Sequence, residues 1–170
     1  ALEVGPDADG VWVTLAIIFG IGLALAFFGN WSLETLRIPG VLQRIGICYL
    51  VAGVLFLYTG MRGQMLATIG VLAAYWLLMF HYPVPGFGAG RLDVEGNFAH
   101  YIDGLFLSGH MYSQTKTWDP EGIVSTLPAI ATTMFGVLTG HLMRRTHTHA
   151  ERAARLFLSG NGLLFAGLLL

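Results

Sequence analysis

Residues 11–29 read VWVTLAIIFGIGLALAFFG, from Val11 to Gly29, without one charged side chain. A helix needs about 20 apolar residues to cross the hydrocarbon layer of a bilayer, so this stretch alone is long enough to span. Four more apolar runs follow it. Ile45–Tyr58 is uncharged and extends back to Ile38 if Arg44 is admitted, and Met65–Phe80 extends to Tyr82. Ile123–Met143 is interrupted only by Pro128, His141 and small hydroxyl residues, and Leu156–Leu170 closes the sequence. The expected fold is all-α, a polytopic transmembrane bundle. About five spanning helices are expected, over 11–29, 40–59, 64–82, 122–143 and 156–170, with one long external loop over 83–121.

Composition agrees. Hydrophobic residues make up 55% of the 170 and charged residues only 11%, against about 25% charged in an ordinary soluble domain. A disordered chain would need the opposite balance. The alternative of a buried helical core in a large soluble enzyme leaves too little amphipathic helix to surround five such runs. A net charge of −1 gives no basic field for nucleic acid, and the single cysteine, Cys48, excludes a disulfide scaffold. The first residue is Ala and the last run ends uncapped at Leu170. Residues 1–10 read as the tail of a loop, without the basic start and cleavage site of a signal peptide. The expectation is an internal fragment whose N-terminal and C-terminal helices are missing.

Orientation follows from loop charge. Arg144, Arg145, Arg152 and Arg155 face only Glu151 in the 141–155 connection, and Arg62 lies in the turn near Gly60. The 81–122 segment carries Arg91 and Lys116 against Asp93, Glu95, Asp103, Asp119 and Glu121. A Lys/Arg excess marks the cytoplasmic side, so the 141–155 loop is expected inside and the 83–121 loop outside. Trp31, Tyr75, Trp76, Tyr82 and Trp118 fall near the outer interface.

The polar residues gather toward that outer side. In Arg37-Ile38-Pro39-Gly40-Val41-Leu42-Gln43-Arg44, Pro39 can occupy the first turn of the second helix. Arg37 then precedes the helix, and Gln43 and Arg44 lie one turn in. An arginine at membrane depth either snorkels to the interface or faces a wet, partnered interior. In the second case Arg37 and Arg44 line a polar cavity, in the company of an anion or of nearby carboxylates. The long loop opens with Pro83-Val84-Pro85-Gly86 and contains His100–Leu107, which reads as a half-buried surface helix carrying Tyr101 and Asp103. It closes on Trp118-Asp119-Pro120-Glu121-Gly122. Asp119 can cap the fourth spanning helix, with Pro120 at its first position; Asp119 and Glu121 can equally hold substrate hydroxyls or a basic partner. Pro128 and the small residues of that helix read as tight packing with a kink, or as a cavity wall. His141, His147 and His149 lack acidic co-ligands, so no metal is expected there. His81, His100 and His110 face outward, in structural or substrate-binding roles or as an acid–base group. The sequence has no phosphate-cradling glycine loop, GxSxG elbow or HExxH.

Taken in order, these strings resemble a known family. Arg37-Ile38-Pro39-Gly40-Val41-Leu42-Gln43-Arg44-Ile45-Gly46 is similar to a signature of the heparan-α-glucosaminide N-acetyltransferase family and its bacterial relatives. Pro83–Gly86, Tyr101-Ile102-Asp103 with Leu105 and Tyr112, and Asp119–Gly122 with Ser125-Thr126 and Gly136 resemble the start, middle and exit of that family's long outer loop. The resemblance covers roughly Leu15 to the C-terminus. It implies a transmembrane acyltransferase that moves acetyl from cytosolic acetyl-CoA, as co-substrate, to the amino group of a glucosamine-type sugar on the external face. It implies lining positions for substrate or co-substrate at Arg37, Gln43, Arg44, Tyr101, Asp103, Asp119 and Glu121. The family's catalytic histidine lies upstream of everything matched here, so no catalytic residue is carried over and this stretch is expected to be inactive alone. A shorter outer loop and the lack of paired cysteines favour a bacterial cytoplasmic membrane over a lysosomal one. Membrane lipid and an amino sugar are the expected partners, with a homodimer left open. The alternative is a sugar permease or uptake accessory that binds a saccharide without acyl transfer.

Overall fold

The structure, a computed structural model, describes residues 8–145 and 148–169. It is all-helical, as the apolar runs require. In chain order the helices are α1 (Ala8–Asn30), α2 (Val41–Tyr58), α3 (Met61–His81), α4 (Phe98–Phe106), α5 (Thr126–Arg145) and α6 (His149–Leu169). Four of them, α1, α2, α3 and α5, are long and apolar enough to cross a membrane. Their largest side chains point outward: Ile17, Leu25, Leu66 and Ile69 are exposed, the inverse of a water-soluble globule and the arrangement a bilayer selects.

α1 packs on α2, α2 on α5, and α5 on α3, while α6 touches only α5. Apolar attraction between helices is weak in lipid, so close backbone approach has to hold them. At the α1–α2 seam, Gly46 and Gly53 lie seven residues apart on one face. A Cβ on Gly53 would meet Val11 at 3.0 Å, and one on Gly46 would meet Leu15 at 3.3 Å. The α2–α5 seam is a plug of Cys48, Ala52, Ile130 and Met134. A second apolar cluster, Val84, Phe98 and Val124 with Tyr75, Leu78 and Tyr101 around it, fastens the long loop onto the end of α3.

Several boundaries differ from the sequence expectation. Residues 1–7, read as a loop tail, lie outside the described residues, as does Leu170; the helix already begins at Ala8. Pro39 is not in the first turn of α2, which starts at Val41 after an extended Gly40. The cause is tertiary: Ile38 N–H donates to the His110 carbonyl at 3.0 Å and holds the preceding segment straight. Asp119 does not cap α5, which starts seven residues later. Its carbonyl instead closes a turn with Gly122 N–H at 2.9 Å, with Pro120 at the second position that suits its fixed φ. Pro128 therefore falls in the first turn of α5, where no N–H is needed, and the expected kink has no cause. The fifth expected span begins at His149 rather than 156 and carries Glu151, Arg152 and Arg155 in its first two turns. It is not among the four helices long and apolar enough to cross.

The His100–Leu107 stretch does form a short helix, α4. Asn97 caps it, its side chain accepting from His100 N–H at 2.8 Å. This helix and the turns around it sit where α1 ends, α2 begins, α3 ends and α5 begins, so all the long connections share one end of the bundle.

Candidate functional site

Two segments some eighty residues apart meet at that end. The 36–40 segment is clasped by His110, whose Nδ1 lies 2.8 Å from the Leu36 carbonyl while its own carbonyl accepts from Ile38 N–H. Because Leu36 O can only accept, His110 carries its proton on Nδ1. The clasp presents Arg37 to the Asp119–Gly122 turn. Arg37 Nε donates to Asp119 Oδ2 at 2.9 Å and Nη2 to Oδ1 at 2.6 Å, a two-pronged pair. Nη2 also reaches Glu121 Oε2. The guanidinium lies 4.6 Å from the centre of the Tyr112 ring.

Asp119 is the hub. Its side chain is fully buried, and its carboxylate also accepts Tyr112 N–H at 2.8 Å and Glu121 N–H at 2.9 Å. The hydrogen bonds to Asp119, and then its charge, push the Arg37 guanidinium further toward its protonated form against the cost of burial. Beneath the turn lies Asp103 on α4, 2% exposed. It accepts Ile123 N–H at 3.0 Å and Asp119 N–H at 3.3 Å. Burial pushes the Asp103 carboxyl above the usual carboxylate range, against the pull of those two N–H bonds. Gly122 makes room for it: a Cβ there would lie well inside van der Waals contact of both carboxylate oxygens.

Arg44 lies one turn into α2 and turns toward the same strip of chain. Its Nη2 donates to the Pro120 carbonyl and, at 2.7 Å, to Ser125 Oγ. Its Nε is buried and has no partner among the described residues. Gln43 is 4% exposed and lies against Gly22 of α1 and Gly40. Arg37, Arg44, Asp103, Asp119 and Glu121 are thus brought into one connected cluster, with Gln43 beside it. Tyr101 is placed elsewhere: it packs in the apolar cluster under the loop and stacks on Tyr82, ring centres 6.2 Å apart. Sequence reasoning did not single out Tyr112 as the surface under Arg37, His110 as the clasp, or Gly22. An aromatic and a histidine in a loop carry no positional signal, and Gly22 reads like any other small residue in an apolar run.

The space around the cluster is divided. A cavity of about 490 Å3 lies between α1, the Arg37 segment and Tyr112–Ser113, with Gln43 in its wall. Another of about 560 Å3 lies between α2 and α5, lined by Arg44, Cys48, Ser125 and Thr133. At the opposite end of the bundle, His141 Nε2 pairs with Gln64 Oε1 at 2.8 Å while Gln64 Nε2 donates to the Thr59 carbonyl. No group of side chains able to hold a metal ion occurs among the described residues; His147 of the histidine tract lies outside them.

Mouse and human heparan-α-glucosaminide N-acetyltransferase are each 31% identical to the chain over 159 residues, covering 68% of it. The chain is a distant relative of heparan-α-glucosaminide N-acetyltransferase. It spans 24% of the length of these two relatives. No family model matches it. The segments around Arg37 and around Asp119 are the two that the ion-pair cluster ties together.

Proposed function

We propose that the chain is the outer-mouth portion of a membrane acetyltransferase that passes acetyl from acetyl-CoA to the amino group of a glucosamine-type sugar. The observation that carries this is the Arg37–Asp119–Glu121 cluster: both family-like signatures close on one another beside a cavity at the same end of an apolar bundle. The relatives' printed activity supplies the reaction class.

The cluster also limits which substrate approaches from where. Two carboxylates already pair with Arg37 and occupy its Nε–Nη2 fork, so its charge is compensated before any phosphate of acetyl-CoA arrives. Polyanionic acetyl-CoA therefore approaches from the opposite end, where Arg62, Arg144, Arg152 and Arg155 lie, and the sugar approaches from the Arg37 end. By the Lys/Arg rule the Arg62 end is cytoplasmic and loop 83–121 external, in a bacterial inner membrane. His110 and His100 are committed to the Leu36 and Val94 carbonyls through Nδ1. We assign neither as the base that takes the amine proton.

The test uses membranes holding the full-length protein, with labelled acetyl-CoA on the cytoplasmic face and glucosamine on the other. Labelled N-acetylglucosamine is the expected product. Absence of product together with saturable glucosamine flux would overturn the enzyme reading in favour of a permease.

A further inference from the structure

The ion-pair cluster does not account for the roughly 490 Å3 cavity beside it, a volume in the range of small-molecule sites. Its walls come from three separate segments: Gly22 and Leu25 of α1, the chain around Gly40, and Tyr112–Ser113 of the loop. The most buried polar side chain in those walls is Gln43, at 4% exposure. A buried carboxamide ordinarily has partners for both its donor and its acceptor end. Among the described residues no hydrogen bond reaches the Gln43 carboxamide, whose polar atoms are not sealed off from the cavity. As the third residue of α2 it is placed to fold back onto the Gly40 N–H as a capping-box glutamine would, and that bond is not formed.

Two glycines set the amide where it is. A Cβ on Gly22 would lie 2.6 Å from Gln43 Oε1, and a Cβ on Gly40 would lie at the same distance. Either would evict the carboxamide from its slot. The first-turn N–H groups of α2, which no helix carbonyl can reach, flank the same space, and Gly40 has no side chain to cap them. Charge narrows the occupant further. Of the ion-pair cluster only Arg37 lines the cavity, and Asp119 and Glu121 already compensate its charge. An acidic group would find this cation already paired, whereas a neutral or singly cationic ligand rich in hydroxyls would match the open amide and N–H groups.

We infer that Gln43 is a specificity-determining residue that touches the acceptor: its carboxamide exchanges hydrogen bonds with an amino sugar lacking acidic substituents, and Gly22 and Gly40 keep it aimed into the cavity. This rests on reading the Arg37 end as the acceptor side. Loss of one such neutral hydrogen bond weakens binding by about tenfold.

The experiment measures equilibrium binding of glucosamine, N-acetylglucosamine and glucosamine 6-sulfate to the purified full-length protein in nanodiscs. The wild type is expected to bind glucosamine more tightly than the sulfated sugar. Gln43→Met should weaken glucosamine about tenfold, with Tm and the KM for acetyl-CoA little changed. Gly22→Ala, whose Cβ would displace the amide and also lie 3.0 Å from the Leu42 Cβ, should weaken it as much with a lower Tm. Gln43→Glu keeps the shape and adds a charge, so it should shift the preference toward glucosamine over N-acetylglucosamine by about tenfold. A merely structural glutamine would not move that ratio. An unchanged ratio in folded Gln43→Glu overturns the inference, as does a wild type that binds none of the three sugars. If Gly22→Ala fails to fold, the Gln43→Glu ratio decides. Selective sugar binding without acetyl transfer would sink the enzyme reading and leave Gln43 as the recognition residue of a binding or transport site.

Discussion

Arg37 and Asp119 stand 82 positions apart in the chain and share two parallel hydrogen bonds of 2.9 and 2.6 Å. The carboxylate is fully buried and the guanidinium side chain 27% exposed. The pair is the clamp between the segment before α2 and the segment before α5. Removing one partner of a buried pair costs more than the pair contributes, because the other charge is left behind. Arg37→Lys keeps the charge and loses the fork. It should destabilise the protein by about 2 kcal/mol, and Asp119→Ala by about 3 kcal/mol, the exposed edge of Arg37 softening both. Urea or thermal unfolding in detergent measures this. A double mutant as unstable as the sum of the two singles would show that the residues are not coupled.

Asp103 makes stability pH-dependent in an unusual sense. Burial holds its carboxyl above the ordinary range. A carboxyl raised in the folded state favours folding fully below its unfolded pKa, about 3.9, and loses that contribution as pH rises through the folded value. Asp103→Asn removes the charge and keeps one acceptor oxygen, for the Ile123 N–H, at the expense of the longer bond from Asp119 N–H, a loss that does not vary with pH. Relative to Asp103→Asn, the wild type should therefore lose Tm as pH climbs from about 4 through the raised value. Parallel Tm curves for the two proteins from acid to neutral pH would contradict this assignment.

Gly122 is required by its neighbour, since a Cβ there would displace both oxygens of Asp103. Gly122→Ala should cost about 2–4 kcal/mol, combining two lost N–H bonds with steric strain. In an Asp103→Ala background the same change should cost much less, because the obstructing carboxylate is gone. Equal cost in both backgrounds would place the penalty in the backbone of the turn instead.

The bundle was legible because one physical signal, long uncharged apolar runs, is local and strong. The four helices long and apolar enough to cross coincide with four of the five expected runs. The junctions were less legible. Asp119-Pro120-Glu121 has the residue types of a helix start, yet Arg37 and the Tyr112 N–H claim the Asp119 carboxylate, and α5 waits until Thr126. Pro39 similarly yields to the bond between Ile38 and His110. Capping chemistry is local, and these contacts are not, so no window of sequence could weigh one against the other. Asp103 read as a half-buried surface residue and proves to be a buried support for the turn. Its N–H partners lie 16 and 20 residues onward, beyond any helical or strand periodicity.

Sidedness has a direct chemical test. Cys48 is the sole cysteine and is buried in the α2–α5 seam, so it should resist a membrane-impermeant maleimide in the folded protein. Ser108 in the long loop and Thr148 in the basic connection are both exposed. In sealed, oriented cells, Ser108→Cys should label from outside and Thr148→Cys only after permeabilisation. Labelling of both from outside would break the alternation of the four helices.

Arg44 tests whether the mouth works on a ligand or only holds its own turns together. Its Nη2 group secures the Pro120 carbonyl and Ser125 Oγ, and that alone would make it structural. The buried Nε–H without a partner is the part that structure does not use, and a buried donor left open costs about 1–3 kcal/mol unless something else satisfies it. It lies at the edge of the cavity between α2 and α5. If a substrate carbonyl oxygen is what satisfies it during the reaction, Arg44→Lys should lower kcat about a hundredfold, with Tm within a few degrees of wild type, because an ammonium can still reach the Pro120 carbonyl. Arg44→Ala should abolish transfer. A folded Arg44→Lys protein with unaltered kcat would confine Arg44 to its bonds with Pro120 and Ser125, and the open Nε would then belong to a bound water.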